Sequence, residues 1–269
     1  MLLHAIRRSF GIVCTNPSKL FMVLTPTGWK RFAGLTKERV HKKDPATLAR
    51  LEAIQQAKRI EFQSDAWKHD EGVSVRQYES YEKYIAHQKD KLDSLDGKAF
   101  VNPEKAVNMF RRRFELVSGL PSGSSVLCLG ARCGEEVRAF IGLGHFAIGI
   151  DLNPGETSRY VVTGDFHMLQ FADGSVDCVY MNCLDHALDI QKILTEVRRV
   201  LKPQGLFIAD IVYGHEEGYA AGNHDTMHWA KARDFGEFMA GIANFKIQEF
   251  RDLDTHGSPL WTQCVMRKP

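Results

Sequence analysis

An open α/β fold is what this 269-residue sequence predicts: a doubly wound, mostly parallel sheet that ends in a C-terminal antiparallel hairpin and comes after an N-terminal helical extension. Three observations predict it. From Gly123 onward, short β-rich apolar runs alternate with segments of helical period. Such alternation buries apolar strands between two helical layers in largely parallel order. The last two runs, Phe245–Phe250 and Leu260–Met266, have only Asp252–Pro259 between them. A parallel crossover needs about a dozen residues or more, so these two must pair antiparallel.

The elements are justified in chain order. Asp44-Pro45 reads as an N-cap with proline at the first helical position. Leu48, Leu51 and Ile54 then line one face, which predicts a helix over 45–60. Residues 61–73 are mixed and polar, broken by Gly72. Ser74 is suited to cap a second helix with Tyr78, Tyr81, Ile85 and Leu92 in one stripe, ending near Asp96-Gly97. Asn102-Pro103 starts a third helix with Val107, Phe110, Phe114 and Val117 inward, stopped by Gly119 and Pro121. Ser125–Leu129 is a buried-strand run, Glu135–Leu143 a short helix, and Ala147–Asp151 a strand. Val176–Met181 is a strand after the Asp173-Gly174 turn. Asp189 caps a helix with Ile190, Ile193, Leu194, Val197 and Leu201 inward. Pro203 and Gly205 end that helix before a strand over Leu206–Val212. Trp229, Ala232, Phe238 and Ile242 mark a further helix. The chain thus divides into a basic arm and helical cap over 1–100 and an α/β domain over 101–269.

Composition is that of an ordinary globular protein, 44% hydrophobic and 25% charged. No apolar run approaches the roughly 20 residues that span a bilayer. The six cysteines form no CxxC pair and fall largely in strand-like runs, so buried free thiols in a reducing compartment are expected, with no zinc site and no disulfide. The net charge of +2 hides an asymmetry: residues 1–43 carry nine Lys/Arg against Glu38 alone, about +8, which leaves about −6 for the remainder. Ile6, Phe10 and Val13 recur at helical spacing beside Arg7 and Arg8. Three roles fit such an arm. It can rest on an anionic membrane surface, act as a targeting segment, or pack as a helix on its own domain or on a second copy, making a homodimer. The expected location is the cytoplasm, with peripheral membrane contact through the arm.

The chemistry sits at the strand ends. Val126–Gly130 runs into Ala131-Arg132-Cys133-Gly134 and then a helix, so a glycine loop brings backbone to the carboxyl edge of the sheet. Asp151 ends the next strand, 21 residues after Gly130, where an acid can accept hydrogen bonds from ribose hydroxyls. Gly130–Gly134 does not fit GxGxxG, which argues against a nicotinamide cofactor.

The stretch Val126–Ile211 resembles the class I methyltransferase family that uses S-adenosyl-L-methionine, in its small-molecule branch, with a Rossmann-like sheet. The matching pieces are VLCLGARCG, IGIDLNPG, GDFHMLQFADGSVDCVYMN and RRVLKPQGLFIADI, in order and suitably spaced. The resemblance implies S-adenosyl-L-methionine as cofactor and assigns roles at matching positions. Gly130, Ala131, Arg132 and Gly134 would shape the loop around its methionine portion and ribose. Asp151 would take the ribose hydroxyls, with Leu152 beside it. Gly164, Asp165 and Phe166 would lie by the adenine, Asp165 accepting from its amino group. Asn182 would line the methyl-transfer point. Two departures stand out. The family often has an acid where Cys128 stands, a partner for the cofactor's ammonium group, and a glycine where Arg132 stands. Arg132 adds a cation suited to the cofactor's carboxylate.

Methyl transfer to oxygen also needs a base. His186 is the first candidate, since a neutral imidazole removes protons near neutral pH. Asp185 either orients it or is itself the base. A second polar cluster, His215, Glu216, Glu217, Tyr219, His224, Asp225 and His228, comes after the fifth strand, where loops shape acceptor pockets. No spacing in it is diagnostic of a metal site, and no metal is expected. The segment YESYEKYIAHQKDKL is similar to one in bacterial methyltransferases linked to glycans. The function expected is O-methylation of a sugar or other small hydroxylated acceptor. The alternatives are N- or C-methylation of a small metabolite, and a non-catalytic cofactor-binding or partner module. Nucleic acid is not an expected partner, because the remainder of the chain is acidic and no NPPY-like tetrad comes after the fourth strand.

Overall fold

The computed structural model describes residues 53, 56–58, 60–70, 72–94, 102–154, 159–253 and 261–269. Met1–Ile54 and Gln55–Pro269 separate as two compact units, and the described architecture belongs to the second. The basic arm over 1–43 and nearly all of the helix expected over 45–60 lie outside the described residues.

The elements are β1 (Trp67–Asp70), β2 (Val73–Arg76), α1 (Tyr81–Ser94), α2 (Pro103–Phe114), β3 (Ser125–Leu129), α3 (Glu135–Gly142), β4 (Phe146–Asp151), β5 (Val161–Thr163), β6 (Val176–Met181), α4 (Ile190–Val200), β7 (Leu201–Val212), β8 (Met227–Trp229), α5 (Ala232–Ala243), β9 (Lys246–Leu253) and β10 (Trp261–Arg267). A seven-stranded sheet runs β5-β4-β3-β6-β7-β10-β9. Its first five strands are parallel, and β10 lies antiparallel between β7 and β9. This is the expected sheet with its closing hairpin.

Alternation along the strands builds two cores. On β3, Leu127 and Leu129 face a layer that includes α4 and α5, while Val126 and Cys128 face α2 and α3. Local chemistry sets the helix starts. Asn102 accepts from the Lys105 N–H ahead of Pro103, and Asp189 accepts from the Lys192 N–H. Helix α2 is held by a buried ion pair, Arg113 Nη1 to Asp210 Oδ2 at 2.8 Å. Asp210 also accepts from the Tyr180 hydroxyl at 2.9 Å and from Gln263 Nε2 at 3.0 Å. One carboxylate therefore ties a helix to three neighbouring strands.

The structure departs from the sequence expectations at several places. Ser74 is not a helix cap: it lies inside β2, which pairs with β1 and with the remote β8 as a separate three-stranded sheet. Helix α1 starts later, with the Ser80 hydroxyl accepting from the Lys83 N–H. Trp229, expected on a helix, ends β8, and α5 begins at Ala232. Leu201, expected inward on a helix, opens β7 because its backbone pairs with Val176. Strand β5 was not expected; its three residues are too few for periodicity to register. The cysteines among the described residues are free, as the sequence suggests.

The Asp210 cluster generates a prediction. Arg113→Ala removes one half of a pair whose side chains are 9% and 0% exposed. It should cost about 3–5 kcal/mol of unfolding free energy in urea denaturation, since an unpaired buried carboxylate is left behind. A loss under about 1 kcal/mol would count against the cluster as the anchor of α2.

Candidate active site

The sheet order reverses at β3, with β4 on one side and β6 on the other. In open α/β sheets this switch point opens a crevice beyond the carboxyl ends of the strands. The loop after β3 forms its floor. Gly130 has φ +68, and a Cβ there would stand 2.2 Å from Cys183 Sγ. The left-handed backbone favours glycine here, and its missing side chain leaves room for Cys183 on the turn after β6. Gly134, at φ +80, opens α3. Arg132 between them holds φ 32, a left-handed conformation uncommon for a residue with a side chain. Its N–H donates to Asp151 Oδ2 at 3.0 Å, and Asp151 Oδ1 accepts from the Asn153 N–H at 2.7 Å. The carboxylate at the end of β4 thus fixes the glycine loop as well as facing the crevice.

The crevice has two lobes that share Gly130, Arg132, Cys183 and His186. The narrower, about 120 Å³, is lined by Asp151, Leu152, Asn153 and Phe166, with Tyr84 and Gln88 of α1 as cover. The larger, about 470 Å³, lies within the roughly 300–1,000 Å³ of small-molecule sites. Ala131 and Asn182 line it, with Glu135 and Glu136 from the first turn of α3. Of the residues expected to bind the cofactor, Gly130, Ala131, Arg132, Asp151, Leu152, Phe166 and Asn182 converge on this space. Gly134 supports the loop from behind as the start of α3.

Gly164 and Asp165 are not among the lining residues. The Gly164 N–H donates to the Asp151 carbonyl. Asp165 Oδ2 accepts from the Tyr81 hydroxyl, and Oδ1 accepts from the His167 N–H and lies 2.8 Å from His167 Nδ1. Burial pushes the Asp165 carboxyl up, but the donors His167 and Tyr81 outweigh it and hold the group down at about 2. Its first task here is to fasten α1 over the crevice. Tyr84 adds a second tie, its hydroxyl donating to the His186 carbonyl at 3.0 Å, and Gln88 Nε2 a third, to the His224 carbonyl at 3.0 Å.

His186 lies on a short 3₁₀ turn over Leu184–His186, just after β6. Its Nδ1 is 3.0 Å from the His224 carbonyl, which can only accept, so Nδ1 carries the proton. In the neutral ring that leaves the lone pair on Nε2, 3.6 Å from Asp185 Oδ2. Asp225 joins the pair: one ligand atom each from Asp185, His186 and Asp225 lie within 4.8 Å of one another, and both carboxylates are buried. Such a set can hold a proton at an imidazole, and its oxygen and nitrogen donors also suit a divalent cation. Only the fold brings Asp225 to the turn after β6.

The polar cluster beyond β7 splits in two. Tyr219, His224 and Asp225 line the larger lobe. His215, Glu216, Glu217 and His228 do not: Glu217 accepts from the Gly214 and Ala232 N–H groups at 2.8 Å, and Glu216 pairs with Lys231. His228 is fully buried among Phe62, His215, Tyr219 and Trp229, and burial lowers its pKa to about 4. It is a neutral core histidine. Phe110, Glu135, Glu136 and Trp261 also line the larger lobe, and the sequence alone does not single them out as site residues. Two acids directly after Gly134 are the available signal. Trp261 has none, because it arrives on β10.

Comparison with known proteins accords with this geometry. Residues 127–209 match a family model described as a methyltransferase domain. A sterol 24-C-methyltransferase of Gibberella zeae is 30% identical over 105 residues, 33% of this chain and 28% of that protein. An uncharacterized methyltransferase of Mycobacterium sp. (strain KMS) is 32% identical over 114 residues, 36% of this chain and 45% of that protein. The chain therefore spans less than half the length of these curated relatives. Among solved structures, a Burkholderia thailandensis 1,6-didemethyltoxoflavin-N1-methyltransferase with bound S-adenosylhomocysteine superposes with a TM-score of 0.56 at 17% identity. That match covers 75% of this chain and 98% of the other. The likeness to the solved structure shows the fold, and residues 127–209 are similar to a methyltransferase domain. The enzyme class and cofactor read from the sequence agree with these comparisons.

The Asp165 tie gives a pH signature. Its carboxyl is lowered from 3.8 to about 2 in the folded protein, so its stabilisation is complete above pH 4 and is lost as pH falls through 2. Asp165→Asn should lower stability above pH 4, with the difference from wild type shrinking as acid is added. A pH-independent difference in chemical denaturation would argue against the ionised tie.

Proposed function

We propose that the chain transfers a methyl group from S-adenosylmethionine to a hydroxyl of a sugar or another small hydroxylated acceptor. One observation carries the reading. A glycine-shaped crevice with a carboxylate at its β4 rim opens onto an imidazole, His186, oriented by a carbonyl on Nδ1 and a carboxylate beside Nε2.

When bound, the cofactor supplies a methyl on a positively charged sulfur, which a nucleophile displaces in line. The chain's own groups do the rest. Asp151 offers carboxylate acceptors to ribose hydroxyls in the narrower lobe. Phe166 and Leu152 supply apolar walls for a base. Tyr84 and Gln88 cover that lobe and limit water. In the larger lobe, His186 takes the acceptor proton at Nε2, and Asp185 at 3.6 Å favours the imidazolium that results. Tyr219 and Asp225 offer hydrogen-bonding groups for a hydroxyl-rich acceptor in the same lobe. The likeness of residues 78–92 to segments of glycan-linked methyltransferases favours a sugar.

N- or C-methylation of a small metabolite is the second reading. Two similar proteins, a sterol 24-C-methyltransferase and a 1,6-didemethyltoxoflavin-N1-methyltransferase, speak for it. A cofactor-binding module without turnover is the third. The basic arm suits an anionic membrane surface from the cytoplasmic side or a second copy of the chain.

Three measurements test the proposal. S-adenosylhomocysteine should raise the melting temperature, since a ligand of the native state stabilises it. Asp151→Ala should weaken that ligand by about 10- to 100-fold, as expected for lost hydrogen bonds to a charged acceptor. His186→Ala should leave that affinity within about threefold while lowering kcat on a hydroxylated acceptor by about 10²- to 10⁴-fold. A protein unmoved by S-adenosylhomocysteine would overturn the assignment. Full activity in His186→Ala would remove the base and favour N- or C-methylation.

A further inference from the structure

Glu136 is a buried acid whose surroundings in the fold leave its charge unmatched. It occupies the first turn of α3, is 4% exposed, and lines the larger lobe beside Arg132 and Asn182. Its carboxylate is met by its own backbone N–H, and the charges that act on it most strongly are those of Glu135, Asp151 and Asp210, all acids. Among the described residues no Lys or Arg forms a salt bridge with it, and Arg113 on the adjacent helix is committed to Asp210. Burial, and then the like charges, push the Glu136 carboxyl up to about 8. A buried carboxylate with acid neighbours, facing a crevice, is complementary to an entering cation.

Position matters as much as charge. Glu136 lies close enough to Cys128 to help raise its thiol pKa. Cys128 stands where the resembled family often has an acid that meets the cofactor's ammonium group. Arg132, in the same lobe, suits a carboxylate. The lobe therefore presents a cation and a buried acid, the charge pattern that complements a bound amino acid.

We propose that Glu136 binds the α-ammonium group of the cofactor's amino-acid half, replacing from α3 the acid absent at position 128. This rests on the methyltransferase reading above. Glu136 is then a specificity determinant: it separates ligands that carry the amino group from nucleosides that lack it.

The test is a cycle of four affinities by isothermal titration calorimetry on the full chain. The ligands are S-adenosylhomocysteine and its desamino analogue; the proteins are wild type and Glu136→Gln. Gln is nearly isosteric with the protonated carboxyl, so the variant should fold, which circular dichroism and thermal melting check. Wild type should prefer S-adenosylhomocysteine by about 10- to 100-fold, the size of a charge-assisted hydrogen bond, and Glu136→Gln should erase most of that preference. An unchanged preference in Glu136→Gln, or no preference in a wild type that still binds S-adenosylhomocysteine, overturns this proposal alone. A wild type that binds neither ligand overturns the methyltransferase reading and this proposal with it. Should Glu136→Gln not fold, the wild-type preference and its loss in Glu136→Ala decide the matter.

Discussion

The close approach of two loops at the rim of the parallel strands is the constraint on which the rest of this molecule depends. The loop after β3 lies against the turn after β6 at position 130, where φ +68 favours glycine and no Cβ crowds Cys183 Sγ. That contact sets where the Leu184–His186 turn begins, and so where the imidazole stands. It also lets the Arg132 N–H reach the Asp151 carboxylate, linking the ends of β3 and β4. Three strand ends are thus locked together around one crevice. Parallel strands provide the common edge, and backbone geometry provides the fit.

Around this rim, remote segments close the space. Helix α1 is fastened by three side chains from one face: Tyr81 to Asp165, Tyr84 to the His186 carbonyl, and Gln88 to the His224 carbonyl. Each partner belongs to a different loop, so the helix reads the arrangement of the whole edge. The small β1-β2-β8 sheet sets the other wall. Thr226, just ahead of β8, donates through its N–H to the Asp185 carbonyl at 2.7 Å, and its hydroxyl donates to the Ala187 carbonyl at the same distance. Arg76 on β2 donates to the Asp225 carbonyl at 2.9 Å. These backbone ties carry Asp225 to the side of Asp185 and His186. A sheet that looks peripheral to the parallel core thereby builds part of the polar pocket.

Charge divides along the same line. At the centre of the sheet, Asp210 is neutralised by Arg113 and hydrogen-bonded by Tyr180 and Gln263, which is how a buried acid contributes to a fold. At the rim, Glu136 is buried, the charges that act on it most strongly are acids, and a cavity lies in front of it. Two buried carboxylates with opposite surroundings mark the difference between a structural anchor and a group kept for a ligand.

Much of this was legible in the sequence. The apolar runs at Ser125–Leu129 and Val176–Met181, the Asp189 cap and the short link before the last strand each state their structure locally. Period, capping and loop length act between residues near one another in the chain. The glycine loop, Asp151 and the Asn182–His186 turn were legible for the same reason, since each sits at a strand end that periodicity locates. What only the tertiary structure decided involves pairing across the chain. Ser74 and Trp229 became strand residues because β2 and β8 hydrogen-bond to each other, overriding local caps and helical spacing. Asp165 met Tyr81, and Asp225 met His186, through contacts that no spacing encodes. Glu136 carries the same one-letter code as any exposed helix-start acid. Its burial beside Cys128, with acids as the charges that act on it most strongly, is a property of the packed core alone, because desolvation depends on what surrounds a charge in space.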